Sequence, residues 1–263
     1  MSDFENISDS SSGPHVSKEP RFSLCITTMN RFDLFLSYFL DDYLQFKKDG
    51  VLDEIVVCDE TGEDYQKIVQ KYGADGPIRV YKNDYILGVY ENKRNVVLKA
   101  KPGNFVALID SDNFVGRDYF EVVRDYIIEH SLTPYMPFVL SPILCLPRFE
   151  FSYFNNFVID GATAYNYIRN NEFLVFLNTG NFVTTRCVDE LIQYKKVDIW
   201  NELDCIQKHL WCFQQIPEYR IHGVMNLSYF HNTHEGSYYA NYGENPITEQ
   251  RLETIKNAFR AFI

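Results

Sequence analysis

The chain has 263 residues, 46% of them apolar and 16% aromatic, with a formal net charge of -11. That is enough to fill one large core, and the acidic balance excludes a nucleic-acid or anionic-membrane surface, since either needs a basic stripe to neutralise phosphates. A phosphate-bearing ligand would have to meet a local cation, either a bound metal or a few placed Lys and Arg side chains.

Residues 1–20 are polar and serine-rich, with too little apolar area to offset ordering, and are expected to form a disordered leader. "FSLCITT" then has the β-branched, apolar character of a buried strand. It is followed by "RFDLFLSYFLDDYLQF", where Leu36, Phe39, Leu40, Tyr43 and Leu44 recur at helical spacing. "DEIVVCD" predicts a second strand, "EDYQKIVQKYG" a helix closed by Gly73, "IRVYK" a third strand, "YENKRNVVLKA" a helix ended near Pro102 and Gly103, and "NFVALID" a fourth strand. Beyond them "FVLSPILCL", "EFLVFLN" and "YRIHGV" read as strands, and "TTRCVDELIQYKK", "NELDCIQKHLW" and "EQRLETIKNAFRAFI" as helices.

Strands alternating with helices imply a mostly parallel, doubly wound sheet, whose ligands sit outside the carboxyl ends of the strands. No linker splits the chain, so a single domain is expected, with a ligand-binding half over residues 21–115 and a second half over 116–263. The cysteines Cys25, Cys58, Cys145, Cys187, Cys205 and Cys212 show no CxxC spacing. This argues for reduced thiols rather than a zinc knuckle or a disulfide framework. No run approaches the ~20 apolar residues of a membrane helix, and the amino terminus lacks the order of a signal peptide. A cytoplasmic protein with no transmembrane segment is the expectation.

The run "FVALIDSDNF" ends in two aspartates separated by one serine. Carboxylates are costly to desolvate unless a cation compensates them. Asp110-Ser111-Asp112 at a strand terminus suits a hard divalent ion such as Mg2+ or Mn2+, which accepts carboxylate oxygens and keeps positions for water and phosphate.

In order along the chain, "SLCITTMNR", "EIVVCDET", "GVYENKRN" and "ALIDSDN" resemble four segments of family 2 glycosyltransferases of the GT-A fold. The resemblance covers roughly residues 22–115. It implies a Rossmann-like, mostly parallel central sheet flanked by helices and a nucleotide-sugar donor, UDP-linked by expectation. It places Thr27 and Asp59 against the base. The family's usual acidic pair is here Cys58 and Asp59, so only the second acid is retained. Asp110 and Ser111 would lie at the ribose or a metal-bound water, Asp112 would ligate the metal, with Asp110 a further candidate, and Lys93 or Arg94 would neutralise phosphates or order the loop around the base.

"HNTHEGS" is similar to the loop that returns a histidine to the metal in many GT-A enzymes, making His234, and after it His231, a candidate ligand. Inverting members need a carboxylate base on the acceptor side. Asp204 is the first candidate, with Glu202 or Asp198 as the alternatives. Thr179, Gly180 and Asn181 of "NTGNF" would lie beside the acceptor, since small and amide residues let a sugar ring approach the backbone.

The resemblance therefore implies a metal-dependent transfer of a sugar, with inversion expected, from a nucleoside diphosphate to a hydroxyl of a glycan or other acceptor. Two rivals are a catalytically silent GT-A module that binds a glycan or nucleotide, and a nucleotidylyltransferase. The latter would be expected to carry a glycine-rich loop after its first strand, and "ITTMNR" has no glycine.

Overall fold

Seven residues with apolar or hydroxyl side chains, Phe22–Thr28, form the buried strand β1, flanked in parallel by β2 (Glu54–Asp59) and β4 (Phe105–Asp110). The short edge strand β3 (Arg79–Lys82) runs parallel to β2. The computed structural model describes residues 19–146, 149–150, 157–169, 181–192, 205–232, 234, 253 and 257. The helices between these strands are α1 (Ser37–Lys48), α2 (Glu63–Tyr72) and α3 (Val89–Lys99), each close to its expected bounds. A π-turn over Phe32–Leu36 precedes α1. The helix α4 (Arg117–Glu129) was not among the expected elements, although Tyr119, Phe120, Val123, Tyr126 and Ile127 give it a buried stripe at helical spacing.

The second half adds β5 (Phe138–Leu146), β6 (Phe149–Glu150), β7 (Val158–Ile159), α5 (Gly161–Arg169), β8 (Phe182–Thr185), α6 (Arg186–Leu191), α7 (Cys205–Gln215) and β9 (Arg220–Phe230). The strand order is β3-β2-β1-β4-β8-β5-β9-β7, with β6 paired to β5. The sheet is mixed: β8 enters antiparallel between β4 and β5, and β5 pairs with β9 in parallel. Thr184 and Thr185, expected to open a helix, belong to β8, whose four residues are all buried. The expected strand in "EFLVFLN" lies outside the described residues, as does most of the closing helix, of which Glu253 and Asn257 are helical.

The strand alternation sorts the core onto two faces. Cys25, Val56, Cys58 and Leu108 pack on the face that carries Val96 and Val97 of α3 and Leu210 of α7. Leu24, Ile26, Val57 and Ile109 pack on the opposite face, against Leu40 of α1, Ile68 of α2 and Val123 of α4. Among the described residues no helix is long and apolar enough to cross a membrane.

Candidate active site

Thr27, Cys58 and Asp110 occupy one row of the parallel ladder, so their side chains share the α3 face at the carboxyl end of the sheet. Lys93, on the inner side of α3, places Nζ 3.0 Å from Asp110 Oδ1; its side chain is 5% exposed, against 29% for the aspartate. The cation sought for the strand-terminal carboxylates is thus partly the protein's own. Arg94, one residue on, turns away and donates from Nη2 to the Asp189 carbonyl of α6 at 3.4 Å. Of the two expected phosphate-neutralising residues, Lys93 is the one at the aspartate.

Asp110 accepts the Asn113 N–H through its carbonyl at 3.0 Å, folding residues 110–113 into a tight turn in which Ser111 is buried. This turn is stapled to the far end of β9. Phe114 and Phe230 exchange backbone hydrogen bonds of 3.0 and 2.8 Å, and Asn113 Oδ1 accepts the Asn232 N–H at 3.2 Å. The staple carries the chain past Asp112, where His234 Nε2 lies 3.1 Å from Asp112 Oδ2 with both side chains about one-fifth exposed, at 18% and 20%. The Phe35 ring of the π-turn lies against the His234 imidazole, centroids 4.8 Å apart. His231 sits at the base of the same loop, its N–H donating to the Leu146 carbonyl at 2.8 Å and its ring 6.1 Å from that of Tyr229.

A carboxylate oxygen and an imidazole nitrogen from opposite halves of the chain, partly open to solvent, fit a divalent ion such as Mn2+. Among the described residues no group of three or more His, Cys, Asp or Glu forms a closed cage. Asp112 and His234 would supply two ligands and leave the remaining positions for water or phosphate oxygens.

Two further expected site residues are buried and hydrogen-bonded within the fold. Asp59 lies on the opposite face from Asp110, in register with Thr28 rather than Thr27, and is 0% exposed. Its oxygens accept the backbone N–H of Thr61 at 3.1 Å and of Tyr65 at 2.8 Å. It thereby caps α2 from outside, because the residue at the cap position is Gly62, at φ +90, with no side chain to do so. Burial pushes its carboxyl above the usual range against the pull of those N–H groups. Its carboxylate is engaged by the β2–α2 turn.

Asn181 is likewise buried, at 1% exposed. Its Oδ1 accepts the Asp110 N–H at 3.0 Å, and its carbonyl accepts the Tyr119 hydroxyl at 3.2 Å. It therefore braces the end of β4. Thr179, Gly180, Asp198, Glu202 and Asp204 lie outside the described residues.

Other residues that shape the site carry no local sequence signature. Asp64, fully buried, accepts the Thr28 hydroxyl at 2.5 Å and the N–H groups of Arg31 and Phe32 at 2.9 and 3.1 Å. Glu60 accepts Gly88 N–H at 2.5 Å and Asn83 Nδ2 at 2.8 Å. It ties the loop before α3 to the end of β2. Glu60 precedes α2 and Asp64 lies in its first turn, in a polar stretch where a surface position is the default from sequence alone. A cleft of about 330 Å³ is formed by β3, the segment after it and α3, lined by Tyr81, Tyr85, Glu91, Arg94 and Lys99. Lys93, Asp110 and Asp112 are not part of it.

No protein-family model matches the sequence, and no curated protein matches it. The fold does match solved structures. TarS residues 1–349 of S. aureus in complex with UDP-GlcNAc aligns with a TM-score of 0.62 at 15% identity, over 91% of this chain and 66% of that one. The mannosyltransferase PcManGT from Pyrobaculum calidifontis in complex with GDP-Man and Mn2+ aligns at 0.55 and 18% identity, over 85% of this chain and 60% of that one. Glucosyl-3-phosphoglycerate synthase from Mycobacterium tuberculosis, in complex with Mn2+, UDP and phosphoglyceric acid, aligns at 0.54 and 16% identity, over 92% and 77%. This chain spans 60% of TarS 1–349 in another of its structures and 37% of TarS. Its fold is that of GT-A glycosyltransferases.

Proposed function

We propose that the chain is a metal-dependent glycosyltransferase moving a sugar from a nucleoside diphosphate donor, UDP-linked by preference, to a hydroxyl acceptor. The carrying observation is the convergence of Lys93 on Asp110 and of His234 on Asp112 at the carboxyl ends of a parallel sheet. Asp112 and His234 would hold Mn2+ or Mg2+, which when bound offsets charge on the diphosphate leaving group.

Lys93 adds a fixed ammonium beside Asp110, poised to neutralise phosphate oxygens and to orient the carboxylate toward the ribose. Thr27, on the same row, lines the donor side. As the bond between the anomeric carbon and the diphosphate oxygen breaks, the acceptor oxygen bonds to that carbon and its proton passes to a carboxylate. Asp204, with Glu202 as the alternative, is the residue we assign to that base, and Thr179 and Gly180 we assign to the acceptor side. A donor that binds the native state raises its melting temperature by mass action.

The wild-type protein is expected to be stabilised by a uridine diphosphate sugar in the presence of Mn2+, and Asp112→Ala to lose the metal-dependent part of that shift. A folded Asp112→Ala protein with an undiminished Mn2+-dependent shift would overturn the assignment. Slow metal-dependent hydrolysis of the donor by wild type separates an enzyme from a GT-A module that only binds.

A further inference from the structure

The chain leaves β1 through Asn30, a non-glycine residue at φ 57, and then widens into the π-turn, in which both Phe35 and Leu36 N–H groups point to the Arg31 carbonyl, at 3.0 and 3.1 Å. A π-turn is rare and less favourable than an α-turn, and it is frequent at functional sites. Here it buries Phe32 and Leu36 in the core while Phe35 remains on the flank, half-buried.

The start of the turn is anchored from another element. The Asp64 carboxylate of α2 accepts both leading N–H groups, those of Arg31 and Phe32, together with the Thr28 hydroxyl. The orphan donors of a helix start are thus satisfied by a fully buried acid that cannot move without breaking three hydrogen bonds. What this anchored turn presents to the site is the Phe35 ring, 4.8 Å from the His234 imidazole and tilted by 35°. His234 otherwise belongs to a loop from the opposite end of the chain, so the contact joins the first βα unit to the last described stretch.

We propose that Phe35, set by the π-turn and Asp64, is a positioning residue for His234, and through it for the divalent ion of the site. This rests on the metal-dependent reading above and goes beyond it by naming what orients the histidine. A metal-ligating imidazole gains affinity when its surroundings fix its ring plane, and an aromatic neighbour of this kind is worth about 2–10-fold. The aromatic contact supplies that restraint within the usual range of ring-centroid distances. Because Thr28 and Asp64 belong to the same hydrogen-bonded unit, the donor-side strand end and the metal-side histidine are held by one structure.

The test is Mn2+ affinity, read as free Mn2+ by electron paramagnetic resonance in the presence of uridine diphosphate, with nucleotide affinity measured separately in chelator. Phe35→Leu keeps an apolar side chain on a half-exposed position and removes the ring. It is expected to fold, to bind Mn2+ about 2–10-fold more weakly, and to bind uridine diphosphate in chelator as wild type does. Phe35→Tyr should restore Mn2+ affinity. Phe35→Leu added to His234→Ala should cost nothing further, since the ring acts only through the imidazole.

Wild-type Mn2+ affinity in Phe35→Leu, alongside a weakened His234→Ala, would overturn the positioning role and leave the metal site standing. Absence of Mn2+ binding by the wild-type complex would overturn both this inference and the proposed function.

Discussion

At the scale of single residues, one carboxylate serves as a cap and another as a ligand candidate, and the face of the strand tells them apart. Asp59 and Asp110 both end parallel strands, yet Asp59 pairs in register with Thr28 and Asp110 with Thr27, so they point to opposite sides of the sheet. Asp59 then satisfies N–H groups at the start of α2, while Asp110 meets Lys93. Asp59→Ala is accordingly expected to lower stability by about 0.5–2 kcal/mol, the range for losing a helix cap, seen as a lower urea midpoint at unchanged slope. Nucleotide affinity of the folded fraction should change little. A large loss of uridine diphosphate affinity at unchanged stability would return Asp59 to the donor site.

At the scale of elements, the helices α6 and α7 are joined by an ion pair sealed in the core. Lys208 Nζ lies 2.7 Å from Asp189 Oδ2, with side chains 3% and 0% exposed. Burial opposes the charge on Lys208, but the Asp189 carboxylate, together with Cys205 and Cys212, outweighs it, so the ammonium is held above its ordinary pKa. The same residue's carbonyl receives Arg94 of α3, so three helices meet at one residue. Removing one partner strands a charge, which costs about 3–5 kcal/mol, whereas replacing both with apolar side chains of similar volume is often neutral. Lys208→Met and Asp189→Leu singly are expected to shift the denaturation midpoint far more than the double variant. Additive losses in the double variant would mean that the pair is not coupled as described.

At the scale of the whole molecule, stability should depend on pH through buried neutral histidines. His222, 7% exposed and bonded at Nδ1 to the Tyr126 hydroxyl at 3.0 Å, is lowered from 6.5 to about 4 by burial and by the neighbouring His130 and Arg220. His209, bonded to the Tyr219 hydroxyl at 2.6 Å, is pushed well below its ordinary value by burial and by the Lys208 and Lys93 charges. In the unfolded chain both would take up protons near pH 6.5, which the native state resists. The unfolded state therefore binds more protons between pH 6.5 and 4, so stability falls as the pH falls through that window and is level above it. For His222 the loss is on the order of 3 kcal/mol. Unfolding free energies from urea titrations at pH 7, 5.5 and 4.5 should show the decline, and His222→Gln should flatten it; equal slopes in the two proteins would remove His222 as a cause.

Local chemistry was enough to read the parallel half from sequence: apolar runs in β1, β2 and β4 and the helical spacing in α1 to α3 dictate those elements, and "IDSDN" marks a strand ending in acids. Lys93 was among the residues legible there. The second half was less legible because β8 enters antiparallel between β4 and β5. Its "FVTT" is stabilised by strands distant in sequence, so a local pattern that also suits a helix start carries the wrong element. Side-chain occupation belongs to the tertiary structure for the same reason. Whether Asp59 faces a ligand or a helix start, whether Asn181 meets an acceptor or the Asp110 N–H, and whether Phe35 packs in the core or against His234 depends on register, on which face is covered, and on a π-turn anchored by Asp64. Residue type and spacing determine which chemistry is possible, but only the packed sheet decides which donor stands within 3 Å of which acceptor.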